Sequence, residues 1–98
     1  MLPFNHLKKS NTIDNLWVYI LSLAEKGSVY AYKIRKDICL EFGFKPGMVS
    51  SYRVLYRLEL DGFVKSEMVK RKRIYKITEK GRKELKKARD FYKKMIKI

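Results

Sequence analysis

Apolar residues recur at Ile13, Leu16, Trp17, Ile20, Leu21 and Ala24, the spacing of one helix face. Asn11 or Thr12 is the expected cap of this first helix, with Asp14 in its first turn and Gly27 as its stop. Ser28 offers the next cap. From Tyr30, the positions Ala31, Ile34 and Ile38 with Leu40 and Glu41 predict a second helix ending at Gly43. Pro46-Gly47 has turn chemistry. A third helix is expected to begin near Ser50 or Ser51, with Tyr52, Leu55 and Leu58 on one face and Gly62 as its end. The ten residues before the first helix lack periodicity and are expected to form a flexible arm.

The period changes after Gly62. Phe63-Val64 and Ile74-Tyr75-Lys76-Ile77 are β-branched or aromatic and suit two strands. The basic stretch between them predicts a hairpin with its tip near Val69 to Lys72. No Gly, Asn, Asp or Pro occupies that tip, so a loose turn is expected in place of a tight two-residue one. Thr78 is a good cap for a last helix. Gly81, inside that helix's first turn, costs ~1 kcal/mol against Ala and therefore predicts a close backbone approach. Leu85, Ala88, Tyr92 and Met95 then follow at +3, +4 and +3, a narrow stripe suited to one partner helix.

The chain has 98 residues, enough for one domain, and its hydrophobic fraction of 46% supports a core. The expected division is a flexible arm over 1–10, a folded domain over 11–78 and an amphipathic helix over 79–98. No apolar run approaches the ~20 residues that span a bilayer, and the N-terminus lacks a signal-peptide pattern. A cytoplasmic, nucleoid-associated protein without membrane partners is the expectation. One cysteine, Cys39, and one histidine, His6, leave no donor set for a metal, and Cys39 is expected to be a small buried hydrophobe. No carboxylate pair, Gly-rich phosphate loop or nucleophile–base pair stands out, so an enzyme is not expected, and no cofactor is implied.

Charge adds what periodicity lacks. The formal net charge is +14, and it is uneven. Residues 65–98 carry 15 Lys/Arg against 4 Asp/Glu, a net +11, and the first 64 carry +3. A small folded domain with this bias most often meets nucleic acid. The order of elements, three helices and then a hairpin, is the winged helix-turn-helix plan: mainly α with a small β-hairpin, plus a C-terminal dimerisation helix. In that plan the third helix enters the major groove and the hairpin lies along the backbone or in the minor groove. The outward residues of the third helix are expected to be Ser50, Ser51 and Arg53, with Arg57 a turn on. Short hydroxyls near a helix N-terminus permit close approach to phosphates, and Arg53 can fork onto guanine. Tyr52 stands between two roles, core packing and phosphate contact. Lys70, Arg71, Lys72 and Arg73 fall at the wing tip, where backbone contact is expected. Trp17, Leu85, Ala88, Tyr92 and Met95 are the candidate dimer seam.

Three segments carry a family resemblance: "YAYKIRKDI" (30–38), "SSYRVLYRLELDGFVKSE" (50–67) and "RIYKITEKGRKELKKA" (73–88). Together they resemble PadR-like winged-helix transcriptional regulators and, less closely, the MarR-like branch. Tyr32 and Ile34 match the family's Gly-Tyr-Glu-Ile-like segment. Ser50, Tyr52, Leu55, Leu58, Glu59, Gly62, Phe63 and Val64 match its third-helix run. Tyr75, Ile77, Thr78 and Gly81 match its Tyr-x-Leu-Thr-x-x-Gly. Ala31, Ser51 and Arg53 depart from the usual Gly, Leu and Pro. The resemblance implies a homodimeric DNA-binding regulator of transcription, a repressor in the first instance, whose partner is double-stranded DNA. A small-molecule effector is possible but not indicated; any pocket would lie in the seam around Trp17 and Tyr92. Two alternatives remain open at this point. One is a general DNA binder without sequence preference. The other is a winged-helix module for protein contact in a transcription assembly.

Overall fold

The computed structural model describes residues 2–98. Five α-helices and a three-stranded antiparallel sheet form in the order α1 (Pro3–Asn11), α2 (Leu16–Lys26), β1 (Val29–Tyr30), α3 (Ile34–Phe42), α4 (Met48–Leu60), β2 (Val64–Val69), β3 (Lys72–Ile77) and α5 (Glu79–Met95). A 3-10 turn, Ala31–Lys33, joins β1 to α3. The sheet order is β1-β3-β2. Val64 pairs with Ile77, and the ladder runs to Val69 opposite Lys72. On its other side β3 pairs Tyr75 with Val29 and Ile74 with Tyr30.

The core lies where α2, α3, α4, α5 and the sheet meet. Leu16, Ile20 and Leu21 of α2 pack with Ile34, Ile38, Leu55, Leu58, Val64, Ile77 and Leu85. The spacing of these residues is what the periodicity predicted for α2 to α4. Arg89 reaches Glu25 at 2.8 Å and ties α5 to α2 at the surface.

One contact fixes α5 against the α4–β2 corner. The Thr78 hydroxyl accepts the N–H of Gly81 at 3.1 Å and donates to the Gly62 carbonyl at 2.7 Å. The Thr78 N–H donates to the Phe63 carbonyl at 3.1 Å. A Cβ on Gly81 would lie 2.1 Å from that same Phe63 oxygen. The cap and the close approach both follow the sequence expectation. Gly62 itself takes a φ of 83°, the left-handed conformation that ends α4.

Several expectations are corrected. Of the expected flexible arm, Met1 lies outside the described residues, and residues 3–10 are helical: Pro3 opens α1 at a first-turn position, where its missing N–H costs nothing. Lys8 and Lys9 close that helix at its negative end. It buries no residue, which is why no stripe marked it. Asn11 and Thr12 do not cap α2. Their side chains donate back to Leu7 and Lys8 carbonyls at 2.9 and 2.7 Å, at the end of α1. Ile13 and Asp14 therefore lie between helices, and α2 starts at Leu16. Ser28 leads into β1 and not into a helix, because two residues are too few to show a period. Cys39 is exposed, on the far side of α3 from Ile34 and Ile38.

Candidate nucleic-acid interface

α4 starts one residue after Gly47, whose carbonyl accepts both the N–H and the hydroxyl of Ser51, at 3.0 and 2.7 Å. Ser51 is 0% exposed, the only buried polar side chain among the described residues. The expectation that Ser51 faces a ligand is thus overturned. Its position, four before Leu55 and seven before Leu58, is a core position, and a small hydroxyl is tolerated there because the helix's own carbonyl satisfies it. Arg35 donates to the Pro46 carbonyl at 2.9 Å and holds the loop that delivers α4.

With Ser51, Leu55 and Leu58 inward, the exposed arc of α4 follows from helical spacing. Ser50, Arg53 and Arg57 are exposed as expected. Tyr52 is exposed too, which settles it against core packing. Arg57 is turned along its own helix toward Asp61 at 3.1 Å. The first turn carries no acidic residue, and no side chain caps the free N–H groups at Gly47. That end of the helix is open to an anion.

The wing tip is tight. Only Lys70 and Arg71 separate β2 from β3, with φ of 50° and 66°. Two successive left-handed residues make the primed type of hairpin turn. For L-residues with side chains this costs ~1–2 kcal/mol each. The expected loose tip is therefore corrected. The twist of a ladder paired up to Val69–Lys72 imposes a turn that the residue types disfavour. As a result both long cations stand at the apex, exposed, with no ion-pair partner among the described residues.

The other two wing cations are held. Lys72 Nζ lies 5.1 Å above the centre of the Tyr32 ring, and Tyr30 meets Tyr32 edge-on at 5.7 Å. Arg73 Nη1 donates to Ser66 Oγ at 2.8 Å. The Ser66 hydroxyl in turn donates to the Glu59 carboxylate, which also accepts the Ser66 N–H at 3.2 Å. A chain of polar contacts thus runs from β3 through β2 to α4. Neither charge nor periodicity marks Glu59, Ser66 and Tyr32 as site residues; Tyr32 and Glu59 stand out in the sequence only as matches to family segments. Burial, and then the Glu59 carboxylate, push the Tyr75 hydroxyl above its usual pKa, so this core tyrosine stays neutral beside the site. Between the wing, the 3-10 turn and α4 lies a hollow of about 300 Å³, lined by Ala31, Tyr32, Tyr52, Arg71, Lys72 and Arg73. Lys70 lies at the apex beyond it.

The candidate seam is only partly at the surface. Leu85 is 1% exposed within its own core, which removes it from any face a second copy could touch. Trp17, Ala88 and Tyr92 are half-buried and Met95 is exposed. These four line one groove of about 410 Å³ between α2 and α5, joined by Phe91. A second groove of about 410 Å³ lies under α4, with Trp17, Val54, Leu58 and Phe63 inside and Arg53, Arg57, Asp61 and Glu84 also lining it. Among the described residues no cluster of His, Cys, Asp or Glu is placed to hold a metal. No described helix is long and apolar enough to cross a membrane.

A helix delivered by a turn, followed by a two-stranded wing over a helical core, defines the winged-helix fold. A winged-helix DNA-binding protein from STIV shares this fold at 20% identity, with a TM-score of 0.75 over 87% of this chain and 94% of its own length. Residues 20–87 match the transcriptional regulator PadR-like family, and the chain belongs to that family. A transcriptional regulator from Clostridium thermocellum superposes with a TM-score of 0.81 at 25% identity, over 99% of this chain and 93% of that one. PadR of Bacillus subtilis, solved in complex with operator DNA, superposes with a TM-score of 0.69 at 25% identity. That match covers 78% of this chain and 47% of the Bacillus protein, so this chain matches about half of it. No relative was found among curated proteins.

Proposed function

We propose that this protein is a sequence-specific DNA-binding repressor that acts as a homodimer, with α4 in the major groove and the wing on the sugar–phosphate backbone. The observation that carries this reading is the placement of charge. Lys70 and Arg71 stand at the apex of the hairpin with no ion-pair partner among the described residues, and Arg73 is linked to α4 through Ser66 and Glu59. Cations on a wing tied to the reading helix through Ser66 and Glu59 suit phosphates flanking a groove that the helix enters. The likeness to a PadR that binds operator DNA supports the same use of the fold here.

In this reading Ser50, Tyr52, Arg53 and Arg57 face the duplex from α4, and Lys70, Arg71, Lys72 and Arg73 from the wing. Arg53 is the residue of α4 suited to a forked contact with guanine. The exposed parts of the α2–α5 groove, at Trp17, Ala88, Tyr92 and Met95, form the dimer surface. Selection of bound duplexes from a random pool tests the proposal. A two-fold symmetric consensus is the expected result. Equal retention of all duplexes would replace it with a general DNA binder, and no retention at moderate salt with a protein-contact module.

A further inference from the structure

The charged wing explains how the molecule holds DNA, but the exposed arc of α4 is mostly not charged. Met48 is 56% exposed, Val49 70% and Tyr56 65%, and Tyr52 is exposed beside them. Their spacing, with Arg53 at the margin, places all four on the solvent side of the helix's first three turns. An apolar patch at the entry end of a helix has two candidate occupants, an apolar protein face or the apolar part of the major groove. The surroundings decide between them. No acidic residue lies in the first turn. Tyr52 borders the hollow that carries Arg71, Lys72 and Arg73. The patch is therefore flanked by cations on its wing side and carries no acidic residue in the first turn, which complements a polyanion. The one apolar group that duplex DNA offers in the major groove is the C5-methyl of thymine.

We propose that Met48 and Val49, backed by Tyr56, read thymine methyl groups, so that each half-site carries thymines under the N-terminal turn of α4. This rests on α4 being the reading helix. Shielding one methyl from water corresponds to about a fourfold gain in affinity. The test takes the duplex selected from the random pool and replaces half-site thymines singly by deoxyuridine, which removes the methyl and leaves every hydrogen-bonding group in place. Wild-type protein is expected to bind about fourfold more weakly at one or two of those positions. Met48→Ala/Val49→Ala protein, with its thermal transition checked to be unchanged, is expected to bind both duplexes alike.

If wild-type protein binds the deoxyuridine duplexes as well as the parent, the inference is overturned while DNA reading by α4 stands. A pool that yields no consensus, or no binding, overturns it together with the reading beneath it. Should the double variant lose mass in solution and keep its sensitivity to deoxyuridine, the patch is a contact between copies of this chain, which also overturns it.

Discussion

Gly81 shows how one missing atom can fix a fold. Alanine would gain helix propensity there, about 1 kcal/mol, yet its Cβ would lie 2.1 Å from the Phe63 carbonyl oxygen. Backbone on backbone cannot rotate away, so the steric cost decides the sign. Gly81→Ala is expected to lower unfolding free energy by about 3 kcal/mol, read as a drop in urea midpoint at constant slope. Thr78 is the complementary case. Its hydroxyl both accepts from Gly81 and donates to Gly62. Thr78→Ala is expected to cost about 1–2 kcal/mol, and Thr78→Ser to recover most of it, in the same measurement. Both residues were legible in the sequence, because a cap and an awkward glycine each have a local signature. Ser51 was not. A serine in a helix has no mark that tells solvent from core until its register with Leu55 and Leu58 is fixed, and that register depended on the start at Met48.

At the scale of elements, the wing turn sets conformation against function. Lys70 and Arg71 hold left-handed backbone that Asn-Gly would hold more easily. The variant Lys70→Asn/Arg71→Gly is expected to be more stable by about 1–2 kcal/mol in thermal or urea unfolding. The same variant should bind every duplex more weakly, with the slope of log affinity against log salt reduced by about 2, one for each lost phosphate contact. A variant that gains stability and keeps its salt slope would remove the turn from the contact surface. The helices of the core were readable because burial imposes a period. α1 and β1 were missed for opposite reasons. α1 buries nothing and so carries no stripe, whereas β1 is two residues long. The tight turn was missed because residue preference disagrees with it, and only the pairing of β2 with β3 up to its last residues shows which one wins.

For the whole molecule, the open question in the sequence was whether the stripe on α5 faces its own domain or a second copy. The structure divides it. Leu85 belongs to the core, and Ala88, Tyr92 and Met95 progressively leave it. The two ends should therefore respond differently. Leu85→Ala is expected to cost about 2–5 kcal/mol in stability by cavity formation. Met95→Glu is expected to leave the fold intact and, if copies pair through α5 as proposed, to shift sedimentation toward the monomer, with a concentration dependence that wild-type lacks. Unchanged sedimentation of the Met95 variant would remove this end of α5 from the proposed contact between copies.

The close joint at Gly81 has a consequence for measurement of distance along DNA. Because α5 meets the α4–β2 corner through backbone and a short hydroxyl, the two cannot swivel independently. In a pair of subunits joined through α5, the two reading helices would then sit like the jaws of a locked caliper. Such a protein forgives a wrong base more readily than a wrong gap. Two base pairs inserted between half-sites should weaken binding more than a substitution within either one, while a full helical turn of added DNA should restore the facing but not the reach.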